Sequence, residues 1–493
     1  MTMGEAAAAS DGSWLRTPLS LNTPLRGGGI DTRDLAGAEM FFALPGDTAD
    51  GHAFLPRLAG TSVRLAIVDR DVPVGQFAGN VLCVPDVLSA LGRLGAHAVK
   101  KHAPAVVAIT GSYGKTTAKE VIAHVLGASR KVLKTPGSHN NEIGLPLALL
   151  KLGAGQDTEV LEFSARKEGD IDTLGAIAPP DVAVLLAVGR AHIGVFGSQE
   201  AIYRAKAEIF HHLRPGGLAV VGAEDPQLRE SAAGHRIATF GRGQGEFRAE
   251  DVIADAMGRQ SFTGVHGEAR LQFRSAIPGA HGLYPLLAAW AVARELGVPD
   301  EQVAARSTFD PALTGRAILR RSPGGATLLD DSYNASPETV ENLIATLAGM
   351  EGGERVLVLG HLSELEDGLE ESAAIIGAAL GVHGRPASGE SSVEGGCGID
   401  RCLVFSPTTP GLAAQLVAAG AGCPVKEFAT LAELIGVLRD LDRPGTVVGI
   451  KGARAAHMER AVQGMLGTEI GCGLETCELL INCTDCDKLT RKT

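Results

Sequence analysis

Thr110-Gly111-Ser112-Tyr113-Gly114-Lys115-Thr116-Thr117 is the stretch from which the fold can be read. Before it runs Ala105–Thr110, a continuous β-branched and apolar segment suited to a strand buried on both faces. After it comes the apolar helical stretch Ala118–Leu126. A glycine-rich turn between such a strand and such a helix lets successive backbone N–H groups curl toward one point. The helix N-terminus adds its positive dipole end, so the turn suits a phosphate. Gly111, Ser112, Gly114 and Thr117 would shape that cradle, Lys115 would reach the β- and γ-phosphates, and the Thr116 hydroxyl would ligate Mg²⁺. The strict P-loop pattern asks for glycine where Ile109 stands, so only the shorter Gly-x-x-Gly-Lys-Thr-Thr core is present. The alternative is an incidental glycine turn before a helix.

Further buried-strand candidates lie downstream at Val160–Phe163, Val182–Val188 and Leu218–Val221, alternating with helical stretches such as Ser198–His211. This βαβ rhythm predicts a doubly wound parallel sheet. The more polar stretch from Gly241 to Arg274 suits an antiparallel edge, and Gly282–Leu296 reads as a helix. A second α/β sheet is expected from Ala326–Asp330, Arg355–Leu359, Cys402–Phe405 and Thr446–Ile450. Upstream, Val63–Val68 and Asn80–Val84 read as strands and Val87–His102 as a helix. The Gly/Ser-rich stretch Arg385–Gly398 reads as a flexible surface loop. The α/β chain therefore divides into residues 1–103, a phosphate-binding unit at 104–314, a third unit at 315–465 and a cysteine-rich tail at 466–493. Its 493 residues fit several domains at roughly 100–200 residues each.

The net charge of −12 argues against a general nucleic-acid or membrane-surface role while leaving room for local basic pockets. The first ten residues lack a basic stretch followed by an apolar core, and no run approaches the roughly 20 apolar residues that span a bilayer. A cytoplasmic location without membrane insertion is expected.

A nucleotide site needs oxygen ligands for Mg²⁺, which keeps several waters and requires only one or two carboxylates. Glu162 closes an apolar strand on the edge that would face the phosphate turn. A solvated strand end is the plainer reading. His192, after the strand Val182–Val188, would share that edge, or be a hydrogen-bonded structural histidine. Lys206, in Ala205-Lys206-Ala207-Glu208-Ile209, reads from pattern alone as an ordinary helix lysine.

Together these segments resemble the Mur ligases, and within them the MurF type. The resemblance rests on Thr110–Glu120, His139-Asn140-Asn141-Glu142-Ile143-Gly144-Leu145-Pro146, Ala191-His192, Phe196-Gly197-Ser198 and Ala205–Ile209. It continues through Asp330-Asp331-Ser332-Tyr333-Asn334-Ala335-Ser336-Pro337 and Lys451-Gly452-Ala453-Arg454. In the first unit, Asp31-Thr32-Arg33, Phe41–Gly46 and Asp50-Gly51-His52 also fit, so the likeness covers about residues 28 to 465 in order.

The resemblance implies a three-domain architecture with a central P-loop ATPase sheet and a C-terminal Rossmann-like domain. It implies a ligase that uses ATP and Mg²⁺ to add D-alanyl-D-alanine to UDP-N-acetylmuramoyl-tripeptide through an acyl phosphate, in peptidoglycan precursor synthesis. Thr32 and Arg33 would lie near the UDP group, and Asn141 and Asn334 would contact substrate. Arg316 and Asp331 would meet the nucleotide. Thr116 and Glu162 would hold one Mg²⁺, with His192 and a carbamylated Lys206 supporting a second metal position. Two other readings stay open: a sister ligase with a different amine acceptor, and a non-catalytic nucleotide-binding relative.

The chain departs from the family pattern at several points. The adenine-side Gly-x-His-Asn-x-x-Asn reads Gly279-Ala280-His281-Gly282-Leu283-Tyr284-Pro285, with Gly282 and Pro285 where asparagines are expected. Asn-x-Asp-Asp reads Gly222-Ala223-Glu224-Asp225, and Gly-Asp-Met reads Gly360-His361-Leu362. The tail from Gly471 has no family counterpart. Its Cys472, Cys477, Cys483 and Cys486 would supply four thiolates to a zinc ion, in an irregular spacing, or lie free in an unstructured extension.

Overall fold

The computed structural model describes residues 1–46, 49–137, 139–190, 193–362, 368–385, 398–474, 477, 482–486 and 488–490. His192 and most of the 385–398 stretch fall outside them.

Strand Ala105–Thr110 forms as its β-branched pattern predicts, and its residues from Val106 onward are fully buried. It pairs in parallel with Thr158–Glu162 on one side and Val182–Leu185 on the other. The register sets Ile109 opposite Glu162 and Thr110 opposite Leu185, so three strand ends finish on one edge of the sheet. The phosphate turn leaves from that edge, and helix Lys115–Leu126 starts directly after it. Ten of the helix's twelve residues are buried, and it packs against helix Ala280–Glu295 beneath the sheet.

The complete central sheet has nine strands. Its parallel part runs Arg236–Arg242, Leu218–Gly222, Val182–Leu185, Ala105–Thr110, Thr158–Glu162 and Val132–Lys134. The expected antiparallel edge is a meander, Phe247–Ala254, Arg259–His266 and Ala269–Pro278. Phe247, Phe273 and Trp290 pack ring against ring beneath it.

The first sheet orders Ser13–Arg16, Asn80–Cys83, Leu65–Val68, Met40–Phe42 and Gly28–Gly29, parallel except for its first strand. His52 is buried there, bridging Asp50 at 2.7 Å and Asp69 at 3.1 Å, so the Asp50-Gly51-His52 segment serves to fix this unit. The third sheet orders Ile318–Arg321, Thr327–Asp331, Thr446–Lys451, Glu354–Gly360, Arg401–Phe405 and Val425–Glu427. Only its first strand is antiparallel.

The second and third units share apolar packing, and the Glu351 amide donates to the Ala256 carbonyl at 2.9 Å across them. Among the described residues, no helix is long and apolar enough to cross a membrane. Among the described residues of the tail, Cys483–Asp485 forms a short 3₁₀ turn, and Cys483 is buried against His457 and Glu459 of the third unit.

Candidate active site

The phosphate turn depends on its glycines. Gly114 sits at φ +78° as the residue before the helix, a left-handed conformation that strains a side-chain-bearing residue, and Gly111 is at φ +151°. The Ser112 amide is used internally, donating to the Ala187 carbonyl at 2.8 Å. The amides of Tyr113, Gly114, Lys115 and Thr116 have no acceptor among the described residues, and no side chain caps this helix. Four orphan donors at a helix N-terminus make an anion site.

These donors open onto a cavity of about 240 Å³ between the central and third sheets. From the central unit its wall includes Ser112–Thr117, Asn140, Glu162, Ser164 and His281. From the third it includes Arg316, Asp331, Tyr333, Asn334 and Lys451. Lys115 folds back so that its Nζ donates to the Gly111 carbonyl at 2.7 Å and the Ser112 carbonyl at 3.3 Å. Burial lowers its pKa, with the Glu162 carboxylate opposing that effect and Arg316 adding to it. An ammonium held by two loop carbonyls is ready to exchange them for phosphate oxygens.

Glu162 is only 2% exposed, so the solvated strand end does not describe it. Its Oε1 accepts from Asn140 Nδ2 at 2.8 Å, while Oε2 is buried with no hydrogen-bond partner. Lys119 Nζ lies 3.9 Å from Oε2 but donates to the Thr135 and Gly137 carbonyls at 2.8 and 2.6 Å. A buried carboxylate oxygen left short of donors, one strand from the Thr116 hydroxyl, fits an oxygen-seeking cation such as Mg²⁺.

Across the cavity, Asp331 and Lys451 form a buried ion pair at facing ends of two parallel strands, and the Ala317 amide donates to Asp331 at 3.2 Å. The Arg316 guanidinium stacks 3.9 Å above the Tyr333 ring, which holds the charge on the wall. His281 Nε2 is buried without a partner, and burial lowers the ring's pKa, favouring neutral imidazole.

A second cavity of about 260 Å³ adjoins the first through Tyr113, Gly114 and His281. Leu186, Phe240, Tyr284 and Pro285 line it, with Glu224, Asp225 and Asn342 as its polar groups. The missing family asparagine has a local cause. A Cβ on Gly282 would stand 2.5 Å from the Ile277 carbonyl and 1.9 Å from Ser275 Oγ, so no larger residue fits that backbone.

The structure therefore brings Ser112, Gly114, Lys115, Thr116, Thr117, Glu162, Arg316, Asp331 and Asn334 together on one cavity. Gly111 stands just behind the wall. Lys206 is 2% exposed and off the wall, facing the Phe196 ring at 5.9 Å. Burial first, and then Lys115, lower its pKa to about 7. Asn141 is exposed and accepts from the Gly144 amide at 2.8 Å; its neighbour Asn140 is the one in the cavity. Thr32 and Arg33 lie on the first unit, away from this cavity, with Arg33 chelated by Asp31 at 2.6–3.1 Å. His192 lies outside the described residues. Pattern reading gave no role to Lys119, Asn140, His281, Tyr333 or Lys451. Only Lys119 carried a local signal, standing one helical turn after Lys115 on the same face.

Residues 109–293 match the Mur ligase middle domain, and residues 315–454 match the Mur ligase glutamate ligase domain. The UDP-N-acetylmuramoyl-tripeptide--D-alanyl-D-alanine ligase of Bacillus subtilis strain 168 is 34% identical, over 73% of this chain and 78% of its own. The enzyme of that name from Escherichia coli K12 is 31% identical, over 90% of this chain and 96% of its own. Among solved structures, MurF from Acinetobacter baumannii superposes with a TM-score of 0.82 at 27% identity, covering 94% of this chain and 98% of its own. MurF ligase from Thermotoga maritima in complex with ADP gives 0.76 at 28% identity, covering 90% and 97%.

Proposed function

The chain belongs to the Mur ligase family, and from that premise we propose how its two-sided cavity works: as an ATP-dependent ligase that joins D-alanyl-D-alanine to UDP-N-acetylmuramoyl-tripeptide. The observation that carries the reading is the pairing, across one cavity, of four unused helix-start amides with a buried carboxylate oxygen lacking a donor. The first set suits a polyphosphate and the second suits its metal.

The tripeptide's terminal carboxylate attacks the γ-phosphorus of ATP. A new acyl O–P bond forms, the bond to ADP breaks, and two anions have to approach each other. The amides of Tyr113–Thr116 bind the β- and γ-phosphates, and Lys115 leaves its loop carbonyls to follow the charge. Arg316 faces the same space from the other unit. Glu162 and Thr116 hold Mg²⁺, which supplies charge neutralisation on the phosphates when bound. Lys206, carbamylated, and His192 support a second metal position. The amine of the dipeptide then attacks the acyl carbon; phosphate leaves, a proton is released and the amide remains. Asn334, on the third unit's wall, contributes to the dipeptide side. Closing the two units over the acyl phosphate excludes water, its competing nucleophile.

Thr32 and Arg33 receive the UDP end, where a diphosphate competes with Asp31 for the guanidinium. The apolar second cavity beside the phosphate site takes the adenine against Leu186, Tyr284 and Pro285, with Asn342 and Glu224 in place of the family's asparagines. The enzyme works as a cytoplasmic monomer on these small molecules.

The test is phosphate release by the purified chain with ATP, Mg²⁺ and UDP-N-acetylmuramoyl-tripeptide. The acceptor is D-alanyl-D-alanine, D-alanine or none. Stimulation by the dipeptide alone, with the pentapeptide found by mass, is the expected result. Stimulation by a different amine, or by none despite ATP binding, overturns the assignment.

A further inference from the structure

Outside the active site, one buried cluster in the described residues has an electrostatic arrangement that hydrogen bonds alone leave incomplete. His457, Glu459 and Cys483 are all buried, and their nearest donor atoms lie within 4.8 Å of one another. His457 Nε2 faces the Cys477 carbonyl at 3.1 Å. A carbonyl can only accept, so Nε2 carries the proton, and in neutral imidazole Nδ1 then presents a lone pair. That lone pair points at Glu459 Oε1, 3.0 Å away, and at Cys483 Sγ, 3.3 Å away. Two acceptors and a sulfur have converged on one point.

Glu459 sharpens the case. Its Oε1 already accepts from the Cys483 amide and from Arg454, each at 3.1 Å. Its Oε2 is buried with no partner, on a residue 3% exposed. Arg454 meets the charge on Oε1; what joins Nδ1, Sγ and the rest of the carboxylate is either a proton, carried by the thiol or by Nδ1, or a metal ion.

We propose that His457 Nδ1, the Glu459 carboxylate and Cys483 Sγ bind a zinc ion that fastens the tail to the third unit. In a tetrahedral site, sulfur and nitrogen ligands stand about 3.6 Å apart, given metal–ligand bonds of about 2.3 and 2.1 Å, close to the spacing found. The Nε2–H···O=C bond to Cys477 is the outer contact that fixes a histidine as a ligand through its other nitrogen. Binding displaces the thiol proton of Cys483, and thiolate plus carboxylate balance the two charges of the ion. A second tail cysteine completes the four as thiolate, releasing its own proton; the extra negative charge this leaves on the site is offset by Arg454 and Arg460 beside it. Cys486 N donates to the Cys483 carbonyl at 3.1 Å in a tight Cys-x-x-Cys turn, and Leu489 ties Cys472 to the same turn through backbone bonds. The fastening matters beyond the tail, because Arg454, paired with Glu459, also lies over the Tyr333 ring on the active-site wall at 5.5 Å.

The experiment uses the full chain, without a histidine tag, expressed in zinc-supplemented medium and dialysed against metal-free buffer. Metal is counted by plasma mass spectrometry. Wild-type protein is expected to hold one zinc per chain, and Cys483→Ser and His457→Gln less than about one-fifth of that. Cys402→Ser, whose thiol belongs to the third sheet, and Glu162→Gln, at the ATP site, are expected to keep the full equivalent. Single Cys472→Ser and Cys486→Ser variants identify the fourth ligand by which of them loses zinc. Cobalt exchanged into wild-type protein should give a thiolate-to-metal charge-transfer band that Cys483→Ser lacks. Circular dichroism separates lost ligation from lost folding, and chelation of the wild type lowers its melting temperature without any substitution. A folded wild-type chain that carries no zinc after supplementation, or variants that keep it, overturns the site and leaves hydrogen bonds alone to hold the cluster.

Discussion

Lys206 offers the sharpest test of the proposed chemistry. Its ammonium, shielded from water and repelled by Lys115, titrates near 7 in place of the usual 10.5. At pH 7.5 roughly three quarters of such amines are neutral, against about one in a thousand for an ordinary lysine. The pool able to add CO₂ is therefore some 700-fold larger, and carbamylation turns a poorly placed cation into an anionic oxygen ligand. The sign follows directly. At fixed dissolved CO₂, each carbamate formed releases two protons from an ammonium below about pH 7 and one from a neutral amine above it, so carbamate climbs steeply up to about 7 and more gently beyond until the site is full, and activity limited by this group follows the same course. Lys206→Arg keeps the charge but cannot lose its proton, and should lower kcat at least about 100-fold with a small change in the KM for ATP. The assay is initial-rate phosphate release in CO₂-depleted and bicarbonate-supplemented buffer, paired with ¹³C NMR of protein equilibrated with labelled bicarbonate. A Lys206→Arg enzyme retaining more than about one-tenth of kcat, or a wild type without a carbamate carbon signal, refutes the reasoning.

Three other outcomes follow from single residues. Lys115→Ala should lose on the order of 10³-fold in dipeptide-stimulated phosphate release while its circular dichroism is unchanged; near-normal turnover would remove the lysine from the phosphate site. Gly282→Asn, which restores the family residue, should destabilise the central unit by about 1–3 kcal/mol in thermal or urea unfolding, because its Cβ meets the Ile277 carbonyl at 2.5 Å; tighter ATP binding with unchanged stability would contradict that packing. Glu159 is fully buried with both carboxylate oxygens unpartnered, and burial raises its pKa from 4.5 to about 8. The folded state thus keeps a proton that the unfolded state releases, and stability falls as pH rises from about 4.5 through about 8. Between pH 5 and 7.5 the loss is of order 3 kcal/mol, and a Glu159→Gln chain, compared by urea unfolding at both pH values, should lack it.

How much of this was legible in the sequence depended on whether a signal was local. The strand Ala105–Thr110, the turn after it and the helix beyond are determined within about twenty residues, by β-branching, by glycines that must take positive φ and by an apolar helix face. The buried parallel strands of the third sheet were legible for the same reason, since strands covered on both faces read as continuous apolar runs. The edge strands Ser13–Arg16, Ile318–Arg321 and Val425–Glu427 were missed because they are short and at most half-buried, so neither period nor composition marks them.

The site itself is a meeting of distant segments, and there local reading reaches its limit. Asn140 and Asn141 are adjacent and chemically alike. Only the backbone's path sends one to Glu162 and leaves the other holding the Gly144 amide. Lys451 has a role because parallel register sets it opposite Asp331, 120 positions earlier in the chain. The departures from the family pattern show the same limit from the other side. Read as sequence, Gly282 is a lost amide beside the nucleotide. In the fold it is the residue that lets the helix start pass against Ser275 and Ile277, next to an apolar cavity with its own polar groups in Glu224 and Asn342. The substitution therefore belongs with its surroundings, and base recognition has to be sought in the cavity as a whole rather than at the position where the motif fails.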